Sequence, residues 1–523
     1  MQVKGGNHLR APRHVTALHI RAGRRPGISS VTPLCIHSNR LSGRPYTWWS
    51  WDVSAMSLGS MMSASPVIGK VSSSAPLPVH QRNPAADPRK MRRIITEDYS
   101  WSLAIIPPLS DLCLLHIVHN FEHNPILEKL LPKHRSKVLD KLSTSLPLPV
   151  TANLIGHEDY WRRCSTERWP TCDISHYGFS WKRLFFERHL ENLIEHFIPD
   201  LTDTGPICHM AELTKNFIKR LEIQQLLPPV KVEVRKDDEA DDISDSGSEA
   251  AGELPSMDHF DLNLIADSLC DLEELHLVYG VKGCGMNFEW NLFKFTNRDC
   301  TSLANALRTW KKLKVFRLHR SKVDDDKVRI LIRSLLDHPS LVHLDLSHNQ
   351  ISDRGARAVW KLINQSQLRI LNLCNNNIRP HGAQAIAHAL TKNTTLQILN
   401  LRLNHIEDEG GTALCNALLQ NTSLEKLHIG GNELSEPTAT VLAQVLSKNP
   451  SLKSVNISCN RIGLDGGKQL LEGMSENKTL LEFDLRLTEV GQESEFYINQ
   501  VLRSNQDRAR AQLKQVSTSG PER

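Results

Sequence analysis

Apolar residues in the C-terminal half of this chain follow a repeat much longer than the period of a helix or a strand. The pattern is Leu-x-x-Leu-x-Leu-x-x-Asn-x-Ile, and its best copies are Leu341-Leu344-Leu346-Asn349-Ile351, Leu368-Leu371-Leu373-Asn376-Ile378, Leu396-Leu399-Leu401-Asn404-Ile406, Leu424-Leu427-Ile429-Asn432-Leu434 and Leu452-Val455-Ile457-Asn460-Ile462. Weaker copies flank them: Leu272-Leu275-Leu277 and Leu313-Phe316-Leu318 before, Leu480-Phe483-Leu485-Thr488-Val490 after. The first leucines, at 313, 341, 368, 396, 424, 452 and 480, are 27 or 28 residues apart. A fixed period of this length marks a solenoid, because a single unit cannot hide its own apolar side and must stack on its neighbours. Leu-x-Leu reads as a short strand with its leucines inward, and the Asn predicts a ladder of side-chain amide bonds between coils. A helix then returns the chain, as at 355–362, 382–390, 411–418 and 466–471, where alanine and leucine recur at core spacing.

These units predict an α/β leucine-rich repeat solenoid over 258–490. It is a ribonuclease-inhibitor-like horseshoe of about 28-residue repeats with parallel strands on its concave side. The interval from Leu272 to Leu313 is 41 residues, and its surplus at about 280–300 holds Cys284, Met286, Phe288, Trp290, Phe293 and Phe295, which reads as a cap or a docking loop. Thr488 replaces the last Asn, and the polar stretch that follows predicts a C-terminal helical cap and tail over 491–523. Upstream, Leu112, Leu114, Leu115, Ile117, Val118 and Phe121 recur at three- and four-residue spacing. Further apolar stretches at 126–131, 138–142 and 184–197 are punctuated by prolines at 132, 147, 149 and 199. This texture predicts a helical domain over 91–230, with Trp161, Trp169 and Trp181 as an aromatic core cluster. Between the two lies 231–257, an acidic linker in which 236–253 holds eight acids against one lysine.

Lys and Arg number 63 against 58 Asp and Glu, a net charge of +5, too balanced for a partner held by phosphate neutralisation; no nucleic acid is expected. The most apolar long stretch, 103–118, is broken by Pro107, Pro108 and Asp111, so no membrane span is expected. Eleven scattered cysteines without a Cys-x-x-Cys pair suggest neither a zinc ribbon nor a disulfide framework. Residues 1–51 carry eight Lys/Arg and no acid, a composition that resembles a mitochondrial presequence. Without helical periodicity, however, 1–90 reads as a disordered basic tail.

Chemistry-bearing motifs are not found. No phosphate-binding Gly-x-x-x-x-Gly-Lys-Ser/Thr loop, Gly-x-Ser-x-Gly elbow or His-Glu-x-x-His helix occurs, so no catalytic residue, cofactor or enzymatic activity is predicted. His157, Cys164, Cys172 and His176 lack the paired spacing of a zinc site. Asp324, Asp325 and Asp326 read as favourable charges at a helix N-terminus rather than as a cation site. Binding is better served by the outward positions between the strand leucines. The candidates there are His276, Arg317, His343, Asp345, Asn372, Asn400, Arg402, Lys426, His428, Asp484 and Arg486. This face mixes both charges with hydrogen-bonding groups, which suits a protein surface. Arg317, Arg402 and Arg486 are the first anchors, because a guanidinium engages carboxylates bidentately.

Longer segments carry a resemblance that the repeat motif cannot, since that motif also occurs in ribonuclease inhibitor, immune receptors and Ran GTPase activators. Met91-Arg-Arg-Ile-Ile-Thr-Glu-Asp, Trp181-Lys-Arg-Leu-Phe-Phe-Glu-Arg-His-Leu-Glu-Asn-Leu, Cys284-Gly-Met-Asn-Phe-Glu-Trp-Asn-Leu-Phe, Ser321-Lys-Val-Asp-Asp-Asp-Lys and Gly430-Gly-Asn-Glu-Leu-Ser-Glu-Pro-Thr-Ala-Thr are the segments concerned. Together they resemble the T-complex-associated testis-expressed family, which supplies subunit five of the nexin-dynein regulatory complex. The resemblance covers about 83–500; residues 1–80 do not resemble the family's Ser/Thr-rich leader. It implies a non-enzymatic cytoskeletal scaffold in the axoneme of motile cilia and sperm flagella, where the complex regulates dynein-driven motility. Its implied partners are other subunits of that complex, among them another leucine-rich repeat subunit, with inner-arm dynein and doublet microtubules as further candidates. The competing reading is a GTPase-activating protein of the Ran type.

Overall fold

Residues 108–230 and 255–518 are described by the structure, a computed structural model. The expected basic tail and the acidic stretch 231–254 lie outside the described residues.

The helical region starts with α1 (Leu109–His119), α2 (Pro132–Lys141), α3 (Leu148–Thr151) and α4 (Glu158–Arg168), and continues with α5 (Trp181–Glu195) and α6 (Gly205–Thr214). Proline opens α2, where its missing N–H is not needed, and Ser180 caps α5 by accepting from the Arg183 N–H. Stretch 126–131 forms turns rather than a helix, because Pro125 and Pro132 leave too few residues between them for helical hydrogen bonds. Trp161 is fully buried, 4.8 Å from Phe186 and 5.3 Å from Phe185, and its indole donates to the Ile155 carbonyl at 2.9 Å. Trp169 and Trp181 pack half-buried against the same core.

The repeats then run as α7 (Asn263–Ala266), β2 (Glu274–Leu277), α8 (Asn297–Thr309), β3 (Val315–Leu318), α9 (Asp325–Leu335), β4 (His343–Asp345), α10 (Asp353–Gln365) and β5 (Ile370–Asn372). They continue through α11 (Pro380–Leu390), β6 (Ile398–Asn400), α12 (Glu407–Leu418), β7 (Lys426–His428), α13 (Glu436–Lys448), β8 (Ser454–Asn456), α14 (Gly463–Ser475), β9 (Glu482–Asp484) and α15 (Gln492–Thr518). One further strand, β1 (Arg220–Ile223), precedes them. Among the described residues the strands form one nine-stranded parallel sheet in sequence order. Strands repeat every ~4.8 Å across a sheet while packed helices stand ~8–10 Å apart, so alternating them in every coil bends the stack with the sheet inside.

Spacing alone assigns 220–223 to the helical region, yet β1 is bonded in parallel to β2 and opens the sheet. The described helical region and the repeats therefore belong to one compact unit. Helix α5 covers the free edge of β1. Glu187 accepts from the Lys219 and Arg220 N–H groups at 2.8 and 3.0 Å, Glu191 from Glu222 at 2.6 Å and Glu195 from Gln224 at 2.7 Å. The match is geometric. Four helical residues advance ~6 Å, and two strand residues advance ~6.6 Å, so one carboxylate per turn meets every second N–H. An edge that would otherwise offer itself to another strand is thereby closed.

Between coils, Leu344, Leu371, Leu399 and Leu427 are completely buried. The Asn ladder runs as expected: Asn404 donates to the Leu401 carbonyl and to Leu373 of the preceding coil, both at 3.0 Å, and accepts from the Ile378 N–H at 3.1 Å. A second ladder escapes the repeat pattern because it lies at the helix ends. Asn393, Asn421, Asn449 and Asn477 each donate to a carbonyl of the preceding coil. A third lies at the helix starts, where Asp325 accepts from the Ser352 and Gly355 N–H groups of the next coil. Asp324 caps its own helix through the Lys327 N–H, so the acid run serves helix N-termini.

Candidate functional site

The outward row of the sheet is set by strand register. Its middle positions are Glu222, His276, Arg317, Asp345, Asn372, Asn400, His428, Asn456 and Asp484, each paired with the next. His343 and Lys426 stand in the row before it, at the first position of their strands. Arg402 and Arg486 follow just past the ends of β6 and β9.

Register brings these side chains onto one face, but it does not leave all of them free. Asp345 accepts from the Ser347 N–H at 2.9 Å and from the Asn372 amide at 2.9 Å. Asn372 accepts from the Cys374 N–H and Asn400 from the Arg402 N–H, each at 3.1 Å. These are local bonds from a short side chain to the backbone two residues on, and they end the strands. Arg486 is engaged as well: its Nε and Nη2 meet the Asp484 carboxylate at 2.8 and 2.6 Å, although the side chain is 79% exposed. Neutral Asn and paired Asp therefore shape much of the face, and its unsatisfied chemistry lies elsewhere.

That chemistry belongs to Arg317, Arg402 and His276. The Nε atoms of Arg317 and Arg402 are buried without a hydrogen-bond partner, and so is Nε2 of His276. Burial pushes His276 down to about 4, with the Arg317 and Arg220 charges acting in the same direction. His343 and His428 are lowered too, first by burial and then by Arg317 and Arg402 respectively. These imidazoles are neutral at physiological pH, offering one donor and one acceptor each, while the positive charge of the face resides on arginine and Lys426.

Two contributors have no Leu-x-Leu signature. Arg220 and Glu222 come from β1, where only the alternation of Leu221 and Ile223 hints at a strand; Arg220 reaches Glu222 at 2.5 Å and Glu274 at 3.5 Å. At the opposite end, a cavity of about 440 Å³ is lined by His428, Asn456, Phe483, Asp484 and Arg486 together with Glu495 and Asn499 of α15. A helix that reads only as a cap thus supplies polar groups to the face. Among the described residues no set of His, Cys, Asp and Glu is placed to hold a metal ion, and no helix is long and apolar enough to cross a membrane. The arrangement offers surface recognition: two guanidinium groups whose buried Nε atoms have no hydrogen-bond partner, on a floor of small polar side chains, with carboxylates at either end.

Comparison with known proteins agrees with the repeats and adds an identity for relatives. The profile of the family described as Leucine Rich repeat matches residues 337–359, 365–387, 392–415 and 448–471. The chain is 57% identical over 323 residues to "Dynein regulatory complex subunit 5" of Macaca fascicularis, covering 61% of this chain and 64% of that protein. It is 33% identical over 227 residues to the protein of the same name in Chlamydomonas reinhardtii, covering 43% of this chain and 50% of the other. The matched stretch thus spans less than two thirds of these relatives. Among solved structures, an internalin from Listeria monocytogenes aligns with a TM-score of 0.26 at 18% identity, over 44% of this chain and 66% of that one. The chain resembles dynein regulatory complex subunit 5, and its fold is a leucine-rich repeat solenoid preceded by helices.

Proposed function

We propose that this chain is a non-enzymatic scaffold subunit of the dynein regulatory complex in the ciliary and flagellar axoneme, where it helps regulate dynein-driven motility. The observation that carries the reading is the 57% identity to a relative bearing that name. The same name attached to the Chlamydomonas reinhardtii protein at 33% identity supports it and favours it over a Ran-type GTPase activator. Other subunits of the complex are the partners, and the concave face is the surface that holds one of them. Arg317 and Arg402 are its anchors, being guanidinium groups with an unpartnered buried Nε. They stand three strands apart and two residues out of register, roughly 16 Å between backbones, and suit two carboxylates on one structured surface.

The test uses the tagged full-length chain in motile ciliated cells, with cross-linking of the isolated complex. Wild type is expected in the axoneme, and Arg317→Glu with Arg402→Glu is expected to lose concave-face cross-links and most axonemal retention. A wild-type signal that stays diffuse with an unlabelled axoneme rejects the scaffold reading. Retention and cross-links unchanged in the double variant reject the choice of face.

A further inference from the structure

The insertion between β2 and β3 has two sides that the fold treats differently. Phe295 is buried against Tyr279 with ring centroids 4.4 Å apart. Phe293 lies over Gly280 so closely that a Cβ there would come within 2.8 Å of its ring. A capping box between Thr296 and Asp299 fixes the exit into α8. These contacts hold the loop in place without using its other aromatic residues.

Met286, Trp290 and Phe288 are 101%, 72% and 47% exposed. Phe288 and Trp290 are not scattered. Phe288 lies 5.2 Å from Trp290 and 5.4 Å from Phe293, so the exposed rings continue the anchored ones as one cluster. The Lys322 ammonium sits 4.6 Å from the centre of the Trp290 ring and 5.8 Å from that of Phe293. Among the described residues no carboxylate pairs with Lys322, with Lys294 beside Phe293, or with Arg320 two residues before Lys322. Nothing in the repeat requires these residues, since the other coils close without an insertion.

We propose that this patch is a docking surface separate from the concave face, and that its occupant is an acidic segment of another protein carrying an aromatic or large aliphatic side chain among its carboxylates. Charge sign and apolar content together select that occupant. A basic segment would be repelled by Lys322 and by Lys294 beside Phe293, and would compete with Lys322 for the Trp290 ring. A polyanion without apolar side chains would leave Met286, Phe288 and Trp290 in water. Exposed Trp and Met beside unpaired cations have the composition of an interface centre, in which a few large side chains carry most of the affinity.

The test measures fluorescence anisotropy of three labelled synthetic peptides with the full-length chain. One alternates Asp and Glu with Phe and Leu, one has the acids replaced by Lys, and one keeps the acids but has Ala for Phe and Leu. The first is expected to bind saturably and more weakly as salt rises, and the other two at least about tenfold more weakly. Trp290→Ala and Lys322→Glu are each expected to weaken the first peptide at least about tenfold, and Trp290→Phe to restore part of the loss. Trp290 is exposed and Lys322 half-buried, and thermal melting verifies that the variants fold. Arg317→Glu with Arg402→Glu should leave this binding unchanged, which separates the patch from the concave face. The proposal is overturned if the acidic apolar peptide fails to saturate, if either patch variant binds it like wild type, or if the alanine peptide binds equally well.

Discussion

The two ends of the solenoid solve the same problem with opposite chemistry. At the N-terminal end α5 presents carboxylates, and Glu187, Glu191 and Glu195 accept the N–H groups that β1 leaves over. At the C-terminal end α15 presents amides instead. Asn505 donates to the Leu480 carbonyl at 3.0 Å and Gln506 to Leu481 at 2.8 Å, just before β9. The first solution buries charge: Glu187 is completely enclosed and is held by the Arg183 guanidinium at 2.7 Å. The second uses neutral groups and leaves a cavity of about 440 Å³ beside the last strand. A cap is chosen by which backbone groups the terminal coil leaves unpaired, and a charged cap makes its end dependent on pH while an amide cap does not.

The comparison breaks most visibly at Glu187. Glu187→Ala removes the acceptor of two backbone N–H groups and strands Arg183, and should cost about 3–5 kcal/mol in urea unfolding. Hydrogen exchange should quicken at 219–224 while 480–484 keeps its protection; unchanged exchange at 219–224 would show that the edge is held by something else. Asn505→Ala is the mirror experiment, with an expected loss of about 1–2 kcal/mol. Because coils contact only their neighbours, its effect should stay in the last coils, and a loss spread evenly over the sheet would contradict that.

The smallest effect sharpens the contrast through pH. Burial, aided by the charges of Glu187 and Glu222, pushes Glu191 from the ordinary glutamate value of 4.5 up to about 8. The folded chain therefore holds a proton that the unfolded chain has released between those values. Its contribution is complete below about 4.5 and is lost as pH rises through about 8. Melting temperature should fall by about 2–4 °C between pH 6 and 9 in wild type, and Glu191→Gln should flatten the slope. A wild-type slope that survives in Glu191→Gln would assign the proton to another group.

Much of the solenoid is legible in the order of the amino acids. Leucine positions and a 27- or 28-residue interval are enough to specify it, because a strand that short can bury its leucines only against the next coil. Asn404 and its equivalents are readable as a ladder, since one side chain must serve both lone pairs and N–H groups at a turn. The candidate face is only half legible. Alternation in the strands identifies which side chains point away from the core, yet it does not distinguish Arg402, whose Nε has no partner, from Arg486, whose fork closes on Asp484. That difference arises from residues two positions apart and from strand termination, neither of which alters hydrophobic periodicity. Helix α5 illustrates another limit. Glu187, Glu191 and Glu195 are spaced like any solvated helix face, and only the arrival of β1 makes them a seal.

What the chain determined alone is the repeat: the number of residues per coil, the inward leucines and the Asn turns, all of them local and periodic. Tertiary structure alone decided that β1 opens the sheet, that a helix of glutamates closes its edge, which arginines on the concave face remain underused, and which aromatic residues of the insertion face outward. The physical reason is range. Periodic burial is repaid between successive coils and therefore leaves its mark in spacing, whereas the satisfaction of a single polar group depends on a partner tens of residues away that no local pattern specifies.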